Sequence, residues 1–229
     1  MRKLWTIVRG GLMEKSAMRI FGWVSAFAIA FALIESAIVV YIRGIYYPEG
    51  FVFPLKPIAI HHLTTELIRE FSTLVVILAV SVLAGKTGWQ RFAYYIFTFG
   101  IWDIFYYVWL KVLLDWPASI FEFDVLFLIP LPWIAPVLAP VLISILLVVS
   151  GYLIVRKEER DGLFKPPRAS WMLSILGSVV ILYSFMHDLG ATLRFRMPSE
   201  FAWHFFTAGM ILLVAAVIKA FAPRKKRIS

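Results

Sequence analysis

The feature that most constrains the fold is a series of long apolar segments separated by short polar ones. Each segment is close to the ~20 residues that a helix needs to cross the ~30 Å hydrocarbon core of a bilayer. The chain is 61% hydrophobic and 16% charged, with a mean hydropathy of +0.83, whereas a soluble domain is about 45–50% apolar. The sequence therefore predicts an integral membrane protein that crosses the bilayer several times.

Helices are the expected conformation of these segments, because backbone groups find no water in the bilayer and a closed barrel would show short alternating strands. We predict an all-α integral membrane protein, a bundle of six transmembrane helices that forms a single transmembrane domain over residues 1–229. A short interfacial helix is expected before the first span. The spans cover roughly residues 19–42, 63–84, 91–113, 133–155, 170–188 and 199–221.

The distribution of basic residues predicts the orientation. Most of the 23 Lys and Arg residues fall in the N-terminal segment, the 86–91 turn, the 156–168 loop and the C-terminus. Cytoplasmic loops carry such an excess, so both termini are predicted to lie in the cytoplasm, with the protein in the plasma membrane. The net charge of +9 then suits anionic lipid of the inner leaflet. Nucleic acid is not an expected partner, because no groove-reading motif accompanies the charge.

In this topology all four histidines and most acids within the spans lie in the outer third of the bilayer. A charged side chain at the middle of a spanning helix costs at least ~2.5–3.5 kcal/mol on insertion scales, so such residues normally face the protein interior and have partners. His62, Glu66 and Arg69 share one face of the second helix. Glu35 and Asp103 lie at a similar depth in the first and third helices. We expect these acids to meet at a common partner, which is either a bound cation or Arg69 itself.

A metal centre is the function that this set of side chains favours. Carboxylates and imidazoles without any cysteine suit iron, copper, manganese or zinc, and carboxylate–histidine sets within helical bundles also build two-ion sites. The expected activity is oxidoreductase chemistry on a lipophilic or small substrate, although the Glu-x-x-His pair typical of di-iron bundles is missing. Arg69, Glu70 and Tyr107 are the predicted catalytic residues beside the metal. The predicted metal ligands are Glu35, His62, Glu66, Asp103, His187 and His204.

Three other functions remain open from the sequence. Two histidines, for instance His62 with His187 or His204, could hold haem b for electron transfer. The same acids and histidines could instead form a proton or cation relay without a cofactor. The chain could also be an accessory subunit that binds other membrane subunits, with the polar residues forming only a salt-bridge network around Arg69.

The segment before the fourth span is irregular. Pro132, Pro136 and Pro140 recur every four residues, and each removes a backbone hydrogen bond, so the fourth helix must bend or start late. The preceding stretch SIFEFDVLFLI is predicted to be a re-entrant or interfacial segment. It would be either a lid over the polar residues, with Glu122 and Asp124 nearby, or a plain interfacial helix.

Overall fold

The computed structural model describes residues 2–162, 164–196 and 199–222, with side chains from residue 17 onward. Six of its helices are long and apolar enough to cross a membrane, namely α1 from Ala17 onward and α2, α3, α4, α5 and α7. The predicted all-α membrane protein with six spanning helices is confirmed, while the side on which each terminus lies stays a prediction. The elements in chain order are α1 (Arg2–Tyr46), α2 (Ile60–Ala84), α3 (Gly88–Leu114), β1 (Phe123–Phe127), β2 (Trp133–Pro136), α4 (Leu138–Asp161), α5 (Arg168–Met186), α6 (Leu189–Leu193) and α7 (Trp203–Phe221).

Two helix boundaries differ from the sequence prediction. Helix α1 is continuous from Arg2 to Tyr46, so the separate interfacial helix expected at the N-terminus is part of the first long helix. Helix α4 begins at Leu138, five residues after the predicted start of its span. Pro140 then lies in the first helical turn, where a proline removes no intrahelical hydrogen bond. The prolines thus delay the helix and do not bend it.

The segment before α4 is a β-hairpin, so the plain interfacial helix considered for it is wrong. Strands β1 and β2 pair antiparallel, with Asp124 opposite Ala135 and a register irregularity between Val125 and Phe127. The amide of Leu138 donates to the carbonyl of Ile120 at 2.8 Å, which ties the hairpin to the start of α4. Strand pairing satisfies the backbone N–H and C=O groups of this segment without a helix. The prolines prevent α4 from beginning before Leu138.

The chain divides into two compact units. Unit 1 comprises Met1–Phe164 and Asp188–Ser199, and unit 2 comprises Lys165–His187 and Glu200–Ser229. Four of the long helices, the hairpin and α6 belong to unit 1, and α5 and α7 form unit 2.

Helix α3 is the centre of unit 1 and packs against α1, α2 and α4. Two glycines permit its close approach to α4. A Cβ atom on Gly100 would lie 2.6 Å from the carbonyl oxygen of Ser144, and one on Gly151 would lie 2.5 Å from that of Ala93. Small residues at such crossings are the usual way in which membrane helices gain van der Waals contact, since lipid gives them little hydrophobic incentive to associate.

Unit 2 is a helical pair with the same type of contact. A Cβ atom on Gly177 of α5 would lie 2.9 Å from the carbonyl oxygen of Gly209 of α7. The hydroxyl of Ser170 donates to the carbonyl of Ala216 at 2.6 Å. Both contacts join helix backbones closely, so this pair is built on small residues as well.

Candidate functional site

The acids of the first two helices meet at Arg69. Its Nη2 and Nε lie 2.7 and 2.8 Å from Oε2 of Glu66, and its Nη1 pairs with Oε1 of Glu35. The hydroxyl of Thr73 donates to the other Glu35 oxygen at 3.3 Å. The side chains of Arg69, Glu35 and Glu66 are only 18%, 8% and 12% exposed. Arg69, one of the two partners expected from the sequence, therefore pairs with both acids.

Asp103 has a different partner on α4. Its Oδ2 accepts a hydrogen bond of 2.8 Å from the hydroxyl of Ser144, and both side chains are buried. Gly100 lies one turn before Asp103, and its missing side chain lets the Ser144 backbone approach. Asp103 and Glu35 both lie about 16 Å along their helices from the same end of unit 1, at 1.5 Å per residue.

A second ion pair holds the hairpin against the helices. Nη2 of Arg43, near the end of α1, lies 3.1 Å from Oδ1 of Asp124 in β1. Tyr107 of α3 lies close to Asp124. Burial raises the pKa of Asp124 to about 6, although the charge of Arg43 opposes the shift. The guanidinium also stacks on the rings of Phe51 and Trp116, at 4.2 and 3.8 Å from their centroids, so three chain segments converge on Arg43.

Glu70 completes the attachment of the hairpin. Its two carboxylate oxygens accept hydrogen bonds from the amide of Leu128, at 3.1 and 2.9 Å. Leu128 directly follows β1, in the turn between the two strands. Glu70 is therefore occupied by the hairpin backbone, which explains why an acid is buried at this position on α2.

These residues line a cavity of about 340 Å³ within unit 1. Apolar side chains form most of its wall, among them Val39, Leu63 and Phe127. Three buried side-chain atoms of the lining residues have no hydrogen-bond or ion-pair partner among the described residues: the donors Nη1 of Arg43 and Nε1 of Trp102, and the acceptor Oδ2 of Asp124. Buried donors without partners are rare in folded proteins, because each costs about 1–3 kcal/mol. The charged residues of the wall are Glu35, Glu66, Glu70, Asp103, Asp124, Arg43, Lys56 and Arg69.

The structure divides the predicted metal ligands and catalytic residues into two groups. Six of them line the cavity of unit 1: Glu35, Glu66, Arg69, Glu70, Asp103 and Tyr107. His62 does not line it, and Nδ1 of its ring forms a 2.6 Å hydrogen bond with the hydroxyl of Tyr46. His187 and His204 belong to unit 2, where their rings lie beside Phe205.

The acids of this cavity are held by protein groups. Among residues 17–162, 164–196 and 199–222, no group of three or more His, Asp and Glu side chains is arranged to hold a metal ion. Haem ligation by His62 with a histidine of unit 2 likewise has no observation in its favour. The metal centre and the haem stay predictions.

Sequence reasoning missed two residues of the cavity. Arg43 directly follows the predicted first span at 19–42, yet it lies within α1 and its side chain is only 8% exposed. Trp102 precedes Asp103 in an aromatic stretch, and it is buried in the core. The position of Arg43 next to an apolar run in IVVYIRGIYY was the signal, since a buried arginine needs an acid such as Asp124.

Comparisons with known proteins add no family or fold assignment: no family model, no curated protein and no solved structure matches the chain.

Proposed function

We propose that unit 1 binds a neutral lipophilic molecule whose polar end is a carbonyl-type oxygen. The observation that carries the proposal is the pair of unpartnered donors, Nη1 of Arg43 and Nε1 of Trp102, in the wall of a largely apolar cavity. An oxygen acceptor between them would remove the cost of two unpaired buried groups. The apolar wall would take up the remainder of the molecule.

The charges of the cavity favour a neutral ligand. Its wall has five carboxyl groups against three basic groups, so an anion would meet a net negative field if all are ionised. Arg69 and Arg43 are already paired with acids. A carbonyl oxygen accepts hydrogen bonds without adding charge, and so fits both the donors and the field.

The volume also suits this class of ligand. Ligand cavities usually measure about 300–1,000 Å³ and are mostly apolar, with a few polar groups that fix orientation. At about 340 Å³ the cavity is at the small end of that range. A medium-chain ketone or a quinone head group is therefore the expected size, rather than a whole phospholipid.

Binding of three probes with the same alkyl chain tests the proposal. We expect a medium-chain methyl ketone to bind purified protein in detergent more tightly than the corresponding fatty acid or alkane, measured by isothermal titration calorimetry. The ketone alone can both accept the two hydrogen bonds and remain uncharged. Preference for the fatty acid anion, or equal affinity for ketone and alkane, would contradict the proposal.

Two variants locate the polar end of the probe. Trp102→Phe removes the N–H donor and keeps an aromatic ring, and Arg43→Lys keeps the positive charge beside Asp124. Each should weaken ketone binding about fivefold, the equivalent of a hydrogen bond worth about 1 kcal/mol, without changing alkane binding. Trp23→Phe is the matched control, because Trp23 is 73% exposed on α1. Unchanged ketone affinity in both variants would refute the assignment of the donors.

The metal centre predicted from the sequence is the alternative for the same cavity. In its favour, the three acids Glu35, Glu66 and Asp103 all line this cavity. Elemental analysis of the purified protein separates the two proposals, since a redox centre requires iron, copper or manganese in stoichiometric amount. An optical spectrum of the same sample tests for haem through its Soret band.

A further inference from the structure

The cavity wall has an exposed edge formed by few residues. Most of its lining residues are buried or half-buried, but Lys56, Pro57, Leu193 and Phe195 are exposed. Leu193 and Phe195 are 57% and 50% exposed, although both are large apolar side chains. A residue that lines a cavity and is also exposed marks its opening. We call these four residues the cavity mouth.

The segment around the mouth alternates apolar and basic residues. Leu193, Arg194, Phe195 and Arg196 follow one another, and all four are exposed. A turn holds them in place: the amide of Arg196 donates to the carbonyl of Ala191 at 2.9 Å. Alternating large apolar and basic side chains is the composition that lies in a membrane interface, with rings and alkyl groups toward the acyl chains and basic groups at phosphates.

The cavity mouth also lies near the ends of two spanning helices, at the expected edge of the hydrocarbon core. Lys56 precedes the start of α2 at Ile60 by four residues, and α1 ends at Tyr46 on the same side of unit 1. Both helices are candidate membrane spans, so residues just beyond their ends are near the edge of the hydrocarbon core. Lys56, Arg194 and Arg196 give this edge three basic groups, which complement anionic head groups.

We infer that the cavity mouth opens toward the bilayer, where Leu193 and Phe195 contact acyl chains and Lys56, Arg194 and Arg196 bind the phosphates of anionic phospholipids. The ligand then enters from the membrane and not from the aqueous phase. The path of entry rests on the proposed function, whereas the contact with lipid does not. The interaction surface is therefore testable without any ligand.

Site-directed spin labelling tests the depth of the mouth. The chain has no cysteine, so Phe195→Cys can be labelled alone in nanodiscs that contain phosphatidylglycerol. Val75→Cys, exposed within the α2 span, is the hydrocarbon control, and the free label in buffer is the aqueous reference. We expect the label at 195 to collide with oxygen more than with a water-soluble nickel chelate. A collision ratio equal to that of the free label would overturn the inference.

Lipid binding tests the basic groups. We titrate the detergent-solubilised protein with phosphatidylglycerol and count retained lipids by native mass spectrometry. Removing both arginines in Arg194→Gln/Arg196→Gln should lower the apparent affinity about fivefold per arginine. Arg194→Lys/Arg196→Lys is the matched control, because it keeps both positive charges and should retain the wild-type affinity. Retention by the double variant equal to that of wild type would overturn the phosphate contact.

The two proposals can fail separately. If the methyl ketone does not bind but the label at Phe195 is lipid-accessible, the proposed function fails and the lipid contact stands. If the ketone binds and the label at Phe195 is aqueous, the ligand reaches the cavity from water and the inference fails. The Arg194→Gln/Arg196→Gln variant should retain wild-type ketone affinity in detergent, because neither arginine lines the cavity.

Discussion

Replacing Arg69 by methionine should destabilise the protein strongly. The substitution keeps a long flexible side chain at this position in α2 but removes the only basic group that pairs with both Glu35 and Glu66 among the described residues. The two carboxylates would then share a buried site without a counter-charge. Each must either take up a proton or remain as an uncompensated charge within a membrane span.

The magnitude follows from the burial of the three side chains. At 18% exposure or less, these pairs are far from the solvent-screened case in which an ion pair contributes about 0–1 kcal/mol. Removal of one partner from a buried pair costs about 3–5 kcal/mol. We expect Arg69→Met to reach that range, and the triple variant Glu35→Gln/Glu66→Gln/Arg69→Met to recover part of it, because no uncompensated charge is left.

Reversible unfolding in mixed micelles with increasing denaturing detergent measures this effect. Arg168→Met is the matched control, because Arg168 is exposed, and it should change the free energy of unfolding by less than about 0.5 kcal/mol. If Arg69→Met unfolds like the control, the salt-bridge network does not stabilise unit 1. If the triple variant is less stable than Arg69→Met, the assumption that the unpaired carboxylates cause the loss is refuted.

Three further changes test other contacts by the same unfolding measurement. Ser144→Ala leaves Asp103 without its hydrogen bond and should cost about 1–3 kcal/mol; no loss would mean that Asp103 is solvated in the cavity. Gly151→Ala places a Cβ against a backbone oxygen of α3 and should cost about 1–3 kcal/mol, whereas Gly22→Ala has open space and should be neutral. The raised pKa of Asp124 makes the folded state hold its proton more tightly, so this group contributes stability at low pH that is lost as pH rises through about 6. Between pH 5 and pH 7 the wild type should lose about 1 kcal/mol relative to Asp124→Asn, and an equal pH dependence in both would contradict the shift.

The spanning helices could be predicted from the sequence because their cause is local. A run of about twenty apolar residues must satisfy its own backbone in lipid, whatever its neighbours are. The fourth span was misplaced at its start for the opposite reason. The short apolar run WIAPV at the predicted start fits a strand as well as a buried helix, and only the pairing of Trp133–Pro136 with Phe123–Phe127 decides between them.

Side-chain partners were harder to predict than depth. Helical periodicity correctly directed Glu66 and Arg69 to one face of α2, and both line the cavity. The same periodicity directed His62 to that face, but Tyr46 takes its ring nitrogen. Tyr46 is close to His62 only because the 47–59 connection returns the chain beside the end of α1. A contact of this kind depends on the path of a loop, which the periodicity of a helix does not contain.

The nature of the expected ligand changes when paired and unpaired groups are counted separately. A count of residue types gives an excess of acids at one depth, and an excess of acids indicates a cation. In the structure Glu35, Glu66 and Asp124 each pair with an arginine of the same chain. Nη1 of Arg43, Nε1 of Trp102 and Oδ2 of Asp124 are left over among the lining residues. A ligand interacts with the groups that the protein has not already paired, so these contacts are the basis for proposing an oxygen acceptor where the residue types alone indicate a metal.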